Sequence, residues 1–342
     1  MDSSAASAYV YAKASGMLAT SFVGNRASKL FSMRSLRELY GFLFPNETPS
    51  LPESLLAKEI ESLSEKRFIE EYLTLLESYS KPAKILVSLL HYYDYNNVKE
   101  IGAALSLGET ARPDISDIKR HSMMNYAAWP VLRKITEHST ISWYTEAVDI
   151  SEQYKIDSKI DEAYISELWS AVKELSGDER AEAERIVAAE FSFRNVLWAL
   201  RLKVYYKMPA DEIFERLAFA DMSRPKADVF ARRAVEILGK DCENWDDWKD
   251  WRYASHLNPH EDGVVWEIDP SWVGKSVKRE VDRMYAGAFH RNPLSVLSLV
   301  SWFKMKQNEL DCIRTVAEGL RLDVPSEKLR DVAGIPADRP AN

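Results

Sequence analysis

Glycine and proline are scarce in this chain, 12 and 14 among 342 residues. Sheet proteins turn often and draw on those two residues to do so, so the shortage argues against a turn-rich β architecture. Only two cysteines occur, Cys242 and Cys312. They are too few for a disulfide framework and suit a reducing, cytoplasmic setting. No basic stretch leads into an apolar core near the start, so no signal peptide is expected. The longest apolar run, Leu294 to Phe303, covers about half a bilayer crossing and is followed by Lys304 and Lys306. The chain is therefore expected not to span a membrane. Positive charge is also in deficit: 45 Lys and Arg face 53 Asp and Glu, a net charge of −8. That balance argues against a nucleic-acid partner, which needs a basic surface. Residues 1–45 differ, with Lys13, Arg26, Lys29, Arg34 and Arg37 against Asp2 and Glu38. This surplus reads as a solvated helix face, with contact to an acidic partner as the alternative.

What is present is apolar and charged: 46% hydrophobic, 11% aromatic and 29% charged residues. Such a chain can bury a core and stay soluble. Its apolar residues recur at steps of three and four, the period of one helix face. Helices are expected over residues 5–22, 25–44 and 52–78, and from Lys81-Pro82 onward. Ser176-Gly177-Asp178-Glu179 reads as a glycine stop followed by a Ser-x-x-Glu capping box. Residues 292–323 read as one long helix started by Pro293, with Leu297, Val300, Phe303, Leu310, Ile313, Ala317 and Leu320 on its inner face. Lys304 to Asn308 interrupt that face, where a kink or pause is expected. No alternating strand runs bounded by Asn-Gly or Asp-Gly turns occur. The predicted fold class is all-α.

An internal pattern recurs. A helix carries Asn97 and is followed by Pro113-Asp114-Ile115; another carries Asn195 and is followed by Pro209-Ala210-Asp211-Glu212-Ile213; a third carries Cys312 and is followed by Pro325-Ser326-Glu327-Lys328-Leu329. The pivot residues Asn97, Asn195 and Cys312 precede their prolines by 16, 14 and 13 residues. Each unit is a long helix, a proline-initiated turn and a short helix with acid in its first turn, as the helix dipole prefers. The expected division is three similar helical-bundle domains, residues 1–125, 126–222 and 223–342.

The stretches Glu309-Leu310-Asp311-Cys312-Ile313-Arg314 and Ala317-Glu318-Gly319-Leu320 resemble the C-terminal signature of the C subunit of V-type ATPases, subunit d in eukaryotes. Cys312 stands where that signature usually has Asn. The Tyr9-Val10-Tyr11-Ala12 entry and the three repeats also suit that family, so the likeness covers essentially the whole chain, although only the C-terminal segment is specific. The resemblance implies an all-helical funnel of three similar domains around a pseudo-threefold axis. It implies a non-catalytic rotor subunit that caps the membrane ring (K/c type) on the cytoplasmic side and receives the central stalk (D and F type). ATP hydrolysis or synthesis would thereby couple to H⁺ or Na⁺ transport. Arg201, Lys203, Arg314 and Arg321 lie on polar faces of the repeat helices and could pair with a stalk or ring loop, although a solvated face is the default.

Three motifs offer other chemistry. Gly274-Lys275-Ser276 imitates the end of a P-loop, but the required earlier glycine is Asp269 and no strand precedes it. Asp246, Asp247 and Asp250 spell DDxxD, which in a helical terpenoid synthase would hold magnesium-diphosphate. The facing motif such an enzyme needs is missing, since Asp228 and Glu236 have Arg232 between them where a hydroxyl is required. The rival reading packs Trp245, Trp248 and Trp251 inward and leaves the acids solvated. His256 and His260 have zinc-ligand spacing, but Pro259 disfavours the helix that would align them. No catalytic constellation, metal site or cofactor is expected, nor binding of ATP or diphosphate.

Overall fold

The computed structural model describes residues 3–257 and 266–335, and among these the regular structure is helical with no strand. Twelve α-helices are described: α1 Ser3–Thr20, α2 Leu36–Leu43, α3 Glu53–Leu76, α4 Lys84–Ser106, α5 Leu132–Thr136, α6 Gln153–Lys173, α7 Gly177–Tyr206, α8 Ala210–Phe214, α9 Arg232–Leu238, α10 Pro270–Arg291, α11 Leu297–Arg321 and α12 Ser326–Val332. Residues 258–265, which hold His260, lie outside the described residues.

Most expected helices form, with instructive shifts. The stretch 25–44 is two pieces, a 3₁₀ helix Gly24–Ser32 and then α2. The break follows from a capping signal the periodicity masks. Ser35 Oγ accepts the Glu38 backbone N–H at 3.2 Å, and the Glu38 carboxylate accepts Arg34 N–H at 2.7 Å. At the expected box near residue 176, by contrast, the Glu179 carboxylate accepts Val296 N–H at 2.9 Å and the Ser295 hydroxyl. That tie fixes residues 293–296 as a turn, so α11 begins at Leu297 rather than at Pro293. The helix then runs to Arg321 without the expected pause at 304–308. Its polar middle is neutralised from within, because Lys306 and Glu309 pair one turn apart while only 9% and 5% exposed. Lys306 also donates to Ser21 Oγ at 3.1 Å, and Glu309 accepts Phe22 N–H. Charges satisfied in this way can lie on a buried helix face.

The backbone gathers into two units, each assembled from separate stretches. The first comprises residues 1–11, 65–184 and 293–300. In it α4 packs along α6, with Ile85, Leu89, Tyr93, Val98 and Ile101 buried from one and Ile160, Leu168 and Val172 from the other. Each such aliphatic side chain contributes about 1.5–3 kcal/mol on leaving water. Gly102 lets the neighbouring turn approach, for a Cβ there would lie 2.3 Å from the Tyr144 hydroxyl. Asn97 Oδ1 accepts Ser116 N–H at 2.9 Å, and its Nδ2 donates to the Ser116 carbonyl at 2.9 Å and to Tyr126 Oη at 3.0 Å. Asp94, one turn earlier, accepts from Ser122 Oγ, Met123 N–H and Tyr126 Oη at 2.6–2.8 Å.

The second unit comprises residues 12–64, 185–292 and 301–342. One of its cores joins Leu30, Phe31, Leu39, Leu56 and Ile60 to Cys312, Ile313, Val316, Ala317 and Leu329. The other joins Val196, Leu200, Ile213, Ile237, Trp248 and Trp251 to Val273 of α10. Asn195 Oδ1 accepts Ala218 N–H at 2.9 Å, and Nδ2 donates to the carbonyls of Ala218 and Phe230 at 2.7 and 3.0 Å. Buried Asp228 accepts four backbone N–H groups, from Ala220, Asp221, Phe230 and Ala231. α10 starts on a standard signal: Asp269 caps Ser271 N–H at 2.8 Å and Pro270 takes the first turn.

Candidate functional site

The acidic motif is scaffold rather than metal site. Residues 245–247 form a 3₁₀ turn, so the three aspartates do not line one α-helical face. Asp247 accepts Asp241 N–H at 2.9 Å and Asn244 Nδ2 at 3.1 Å, while Asp246 pairs with Lys249 at 3.0 Å. Trp248 and Trp251 are buried in the core as the inward-packing alternative requires, while Trp245 packs against it only partly buried. Asp228 spends its carboxylate on backbone amides and cannot face a metal across a pocket. Among the described residues no three His, Cys, Asp or Glu are grouped to hold an ion. Gly274-Lys275-Ser276 lies inside α10, and Lys275 pairs with Asp331 at 2.5 Å. The terpenoid-synthase alternative has no support.

What α7 offers is a surface. Arg194, Trp198, Arg201 and Tyr205 are exposed at i, i+4, i+7 and i+11, one stripe along the helix. Trp198 is 44% exposed, Tyr205 57% and the adjacent Tyr206 71%, large values for side chains that would bury 150–250 Å² each. The inner face of the same turns carries Val196, Ala199 and Leu200, all buried. The sequence therefore places aromatic and guanidinium groups outward on a helix whose core needs are already met. Arg, Trp and Tyr are the side chains that dominate binding energy at interfaces. Arg201 leans toward α10 at Gly274, where an added Cβ would stand 3.4 Å from Leu197 and 3.9 Å from the Arg201 guanidinium. The Tyr205 phenol is raised above its ordinary pKa, first by burial and then by the nearby Asp269 carboxylate.

The four basic residues singled out from sequence differ in how they are placed. Arg201 belongs to this stripe. Lys203 points elsewhere: its Nζ donates to the carbonyls of Ile237 and Leu238 at 3.2 and 2.6 Å, closing the C-terminus of α9. Partial burial lowers its pKa, as expected for an ammonium inside a unit. Arg314 lies 3.8 Å from Asp311, and Arg321 forms a two-nitrogen contact with Glu318, both one turn along α11. Cys312, the third pivot, is fully buried in the core around Leu39 and Val316, and burial pushes its thiol up to about 11. The aromatic members of the stripe belong to no motif in the sequence. The signal that would have found them is a tryptophan and a tyrosine falling on the helix face opposite Ala199 and Leu200.

No helix among the described residues is long and apolar enough to cross a membrane. A family model described as ATP synthase (C/AC39) subunit matches residues 8–332. An uncharacterized protein of Treponema pallidum (strain Nichols) is 26% identical over 334 residues, covering 96% of this chain and 97% of that one. The signature residues that carry the likeness are structural in this fold: Glu309 is half of a buried ion pair, and Gly319 leaves room for Leu329 where a Cβ would come within 2.3 Å of Cδ2. The chain belongs to the ATP synthase (C/AC39) subunit family, the non-catalytic C/d subunits of V/A-type ATPases.

Proposed function

We propose that this chain is a rotor subunit of a V/A-type ATPase or ATP synthase. It would link the D- and F-type central stalk to the K/c-type membrane ring and couple ATP turnover to H⁺ or Na⁺ transport from the cytoplasmic face. The family match across residues 8–332 carries this reading. A mechanical role suits a chain with an exposed Arg–Trp–Arg–Tyr stripe. Torque under load demands a large contact of packed aromatic and charged anchors, since thin polar contacts exchange readily with water. The stripe on α7 is the proposed partner-facing surface, with Arg314 and Arg321 as secondary candidates. The three-repeat organisation, residues 1–125, 126–222 and 223–342 forming a funnel, belongs to the same proposal. The matching hydrogen bonds of Asn97 and Asn195 support it.

The test is reconstitution of the complex in vesicles with and without this subunit, reading phosphate release beside ion uptake. Without it, the head should still hydrolyse ATP while ATP-driven uptake disappears. Undiminished uptake would overturn the coupling role. Trp198→Ala with Arg201→Ala should lower uptake per ATP while leaving the melting temperature of the isolated chain unchanged.

A further inference from the structure

A cleft of about 500 Å³ lies within the second unit and is lined in part by Lys226, Arg232, Arg233, Glu236, Arg252 and Tyr253. Four of these are cations and one is a carboxylate. Glu280 of α10 adds one more negative charge within electrostatic reach of Arg233. Glu236 and Glu280 offset that positive surplus only in part, and none of the four cations forms an ion pair with another described residue. Arg233 and Arg252 both approach the Tyr253 ring, at 4.9 and 5.9 Å from its centroid. Two guanidiniums are thus held over one aromatic ring, positioned by a cation–π contact rather than by counter-charge. The Arg233 Nη1 atom is buried and has no hydrogen-bond partner. An orphaned, buried N–H on a charged group is costly, and an acceptor brought by water or by a ligand removes that cost.

We propose that this cleft binds a small anion bearing phosphoryl groups, held by Arg233 and Arg252 with Lys226 and Arg232 at the mouth. Guanidinium forks match phosphoryl oxygens two at a time, and the cleft volume lies in the range of small-molecule sites. Burial and the like charges of Arg252 and Arg232 pull the Arg233 pKa down, so an anion would relieve a repulsion already present. The site departs from the expectation of no phosphate binding because that expectation weighed contiguous motifs. Here the cations come from residues 226–252 and converge only in the fold. It is separate from the acidic 245–247 turn, where Asp246 and Asp247 already have partners.

The probe is sodium pyrophosphate, titrated calorimetrically into the full chain without divalent cations. A parallel arm measures flotation with phosphatidylcholine vesicles containing phosphatidic acid. Saturable pyrophosphate binding alone assigns the site to a free phosphate. Vesicle capture alone assigns it to a lipid headgroup, and both together assign it to the phosphoryl group itself. In each case Arg233→Gln and Arg252→Gln should weaken the interaction about tenfold or more, the worth of a charge-assisted hydrogen bond. Lys226→Gln, at an exposed position, should weaken it by a smaller factor without touching the core. The control Arg120→Gln, in the other unit, should change nothing. Failure of both arms, or binding that all three cleft variants leave unaltered, overturns the proposal.

Discussion

Asn97 and Asn195 hold the loops that follow them in the same way. Each carboxamide oxygen accepts a backbone N–H, and each Nδ2 donates to the carbonyl of that same residue, Ser116 in one case and Ala218 in the other. Each Nδ2 then spends its second proton on an oxygen further along, Tyr126 Oη or the Phe230 carbonyl. An amide side chain used edge-on in this manner imitates one rung of a sheet where no strand exists. Asn97→Ala or Asn195→Ala should each cost about 1–3 kcal/mol, the penalty of stranding buried backbone groups. Asn195→Asp should cost more, because a carboxylate would face two carbonyls. Urea unfolding of the isolated chain checks both, and unchanged midpoints would show the loops are held otherwise.

The ion pair inside α11 predicts an asymmetry. Lys306→Met leaves the Glu309 carboxylate buried with only the Phe22 amide and should destabilise by about 3–5 kcal/mol. Adding Glu309→Gln keeps an acceptor for that amide and removes the stranded charge, so the double variant should recover much of the loss. A double variant no more stable than Lys306→Met would mean the two charges are not coupled.

At Gly319 helix propensity and packing oppose each other. Alanine gains about 1 kcal/mol in a helix interior. Its Cβ, however, would stand 2.3–2.8 Å from three atoms of Leu329, which is 8% exposed on α12. Overpacking of that kind costs about 1–3 kcal/mol and should win. Pairing Gly319→Ala with Leu329→Ala should remove the clash, so the two changes together should cost less than their sum in thermal melts.

The clasp between α4 and α6 should make stability pH-dependent. His91 Nδ1 lies 2.5 Å from Glu167 and Nε2 lies 3.0 Å from the His121 carbonyl, so both ring nitrogens face acceptors and the imidazolium is favoured. Burial alone would lower the His91 pKa, but the Glu167 bond, the charges of Glu167 and Asp94 and the carbonyl outweigh it, and the net shift is upward. Burial raises Glu167 less than its His91 and Tyr95 partners lower it. With a raised pKa, the contribution of His91 is complete below about pH 6.5 and is lost as pH rises through the folded value. The Glu167 contribution is complete above its unfolded pKa and lost as pH falls through a lower one. The clasp is therefore strongest in weak acid. The melting temperature should fall from pH 6 toward pH 9, and His91→Gln should flatten that slope. A slope identical in the variant would remove His91 from the account.

The helical class and most helix positions were legible because apolar residues recur at steps of three and four, as Phe303, Leu310, Ile313 and Ala317 do on one buried face of α11. The boundaries were less so. Ser35 with Glu38 and Ser176 with Glu179 carry the same four-residue pattern, yet only the first caps its own helix, because Glu179 is taken by residues distant in sequence. The expected pause at 304–308 vanished for the same reason: Lys306 looks like a surface residue until Glu309 and Ser21 are placed around it. Lys203 reads from sequence as a cation on a polar helix face; nothing local shows that α9 ends beside it. The α7 stripe was half visible, through Arg201, and the cation cleft around Arg233 was invisible, since its members converge only through the fold.

The core that joins residues 27–60 to residues 312–333 has a consequence during synthesis. Ile60 and Cys312 lie 252 positions apart. At ~5–20 residues per second the ribosome needs roughly 10–50 s to deliver the second half of that core after the first. Throughout that interval Leu30, Leu39, Leu56 and Ile60 lack the partners that residues 312–333 supply. Nascent chains stalled before residue 312 should therefore be captured by holding chaperones and cut readily by proteases, whereas chains released past residue 333 should resist both.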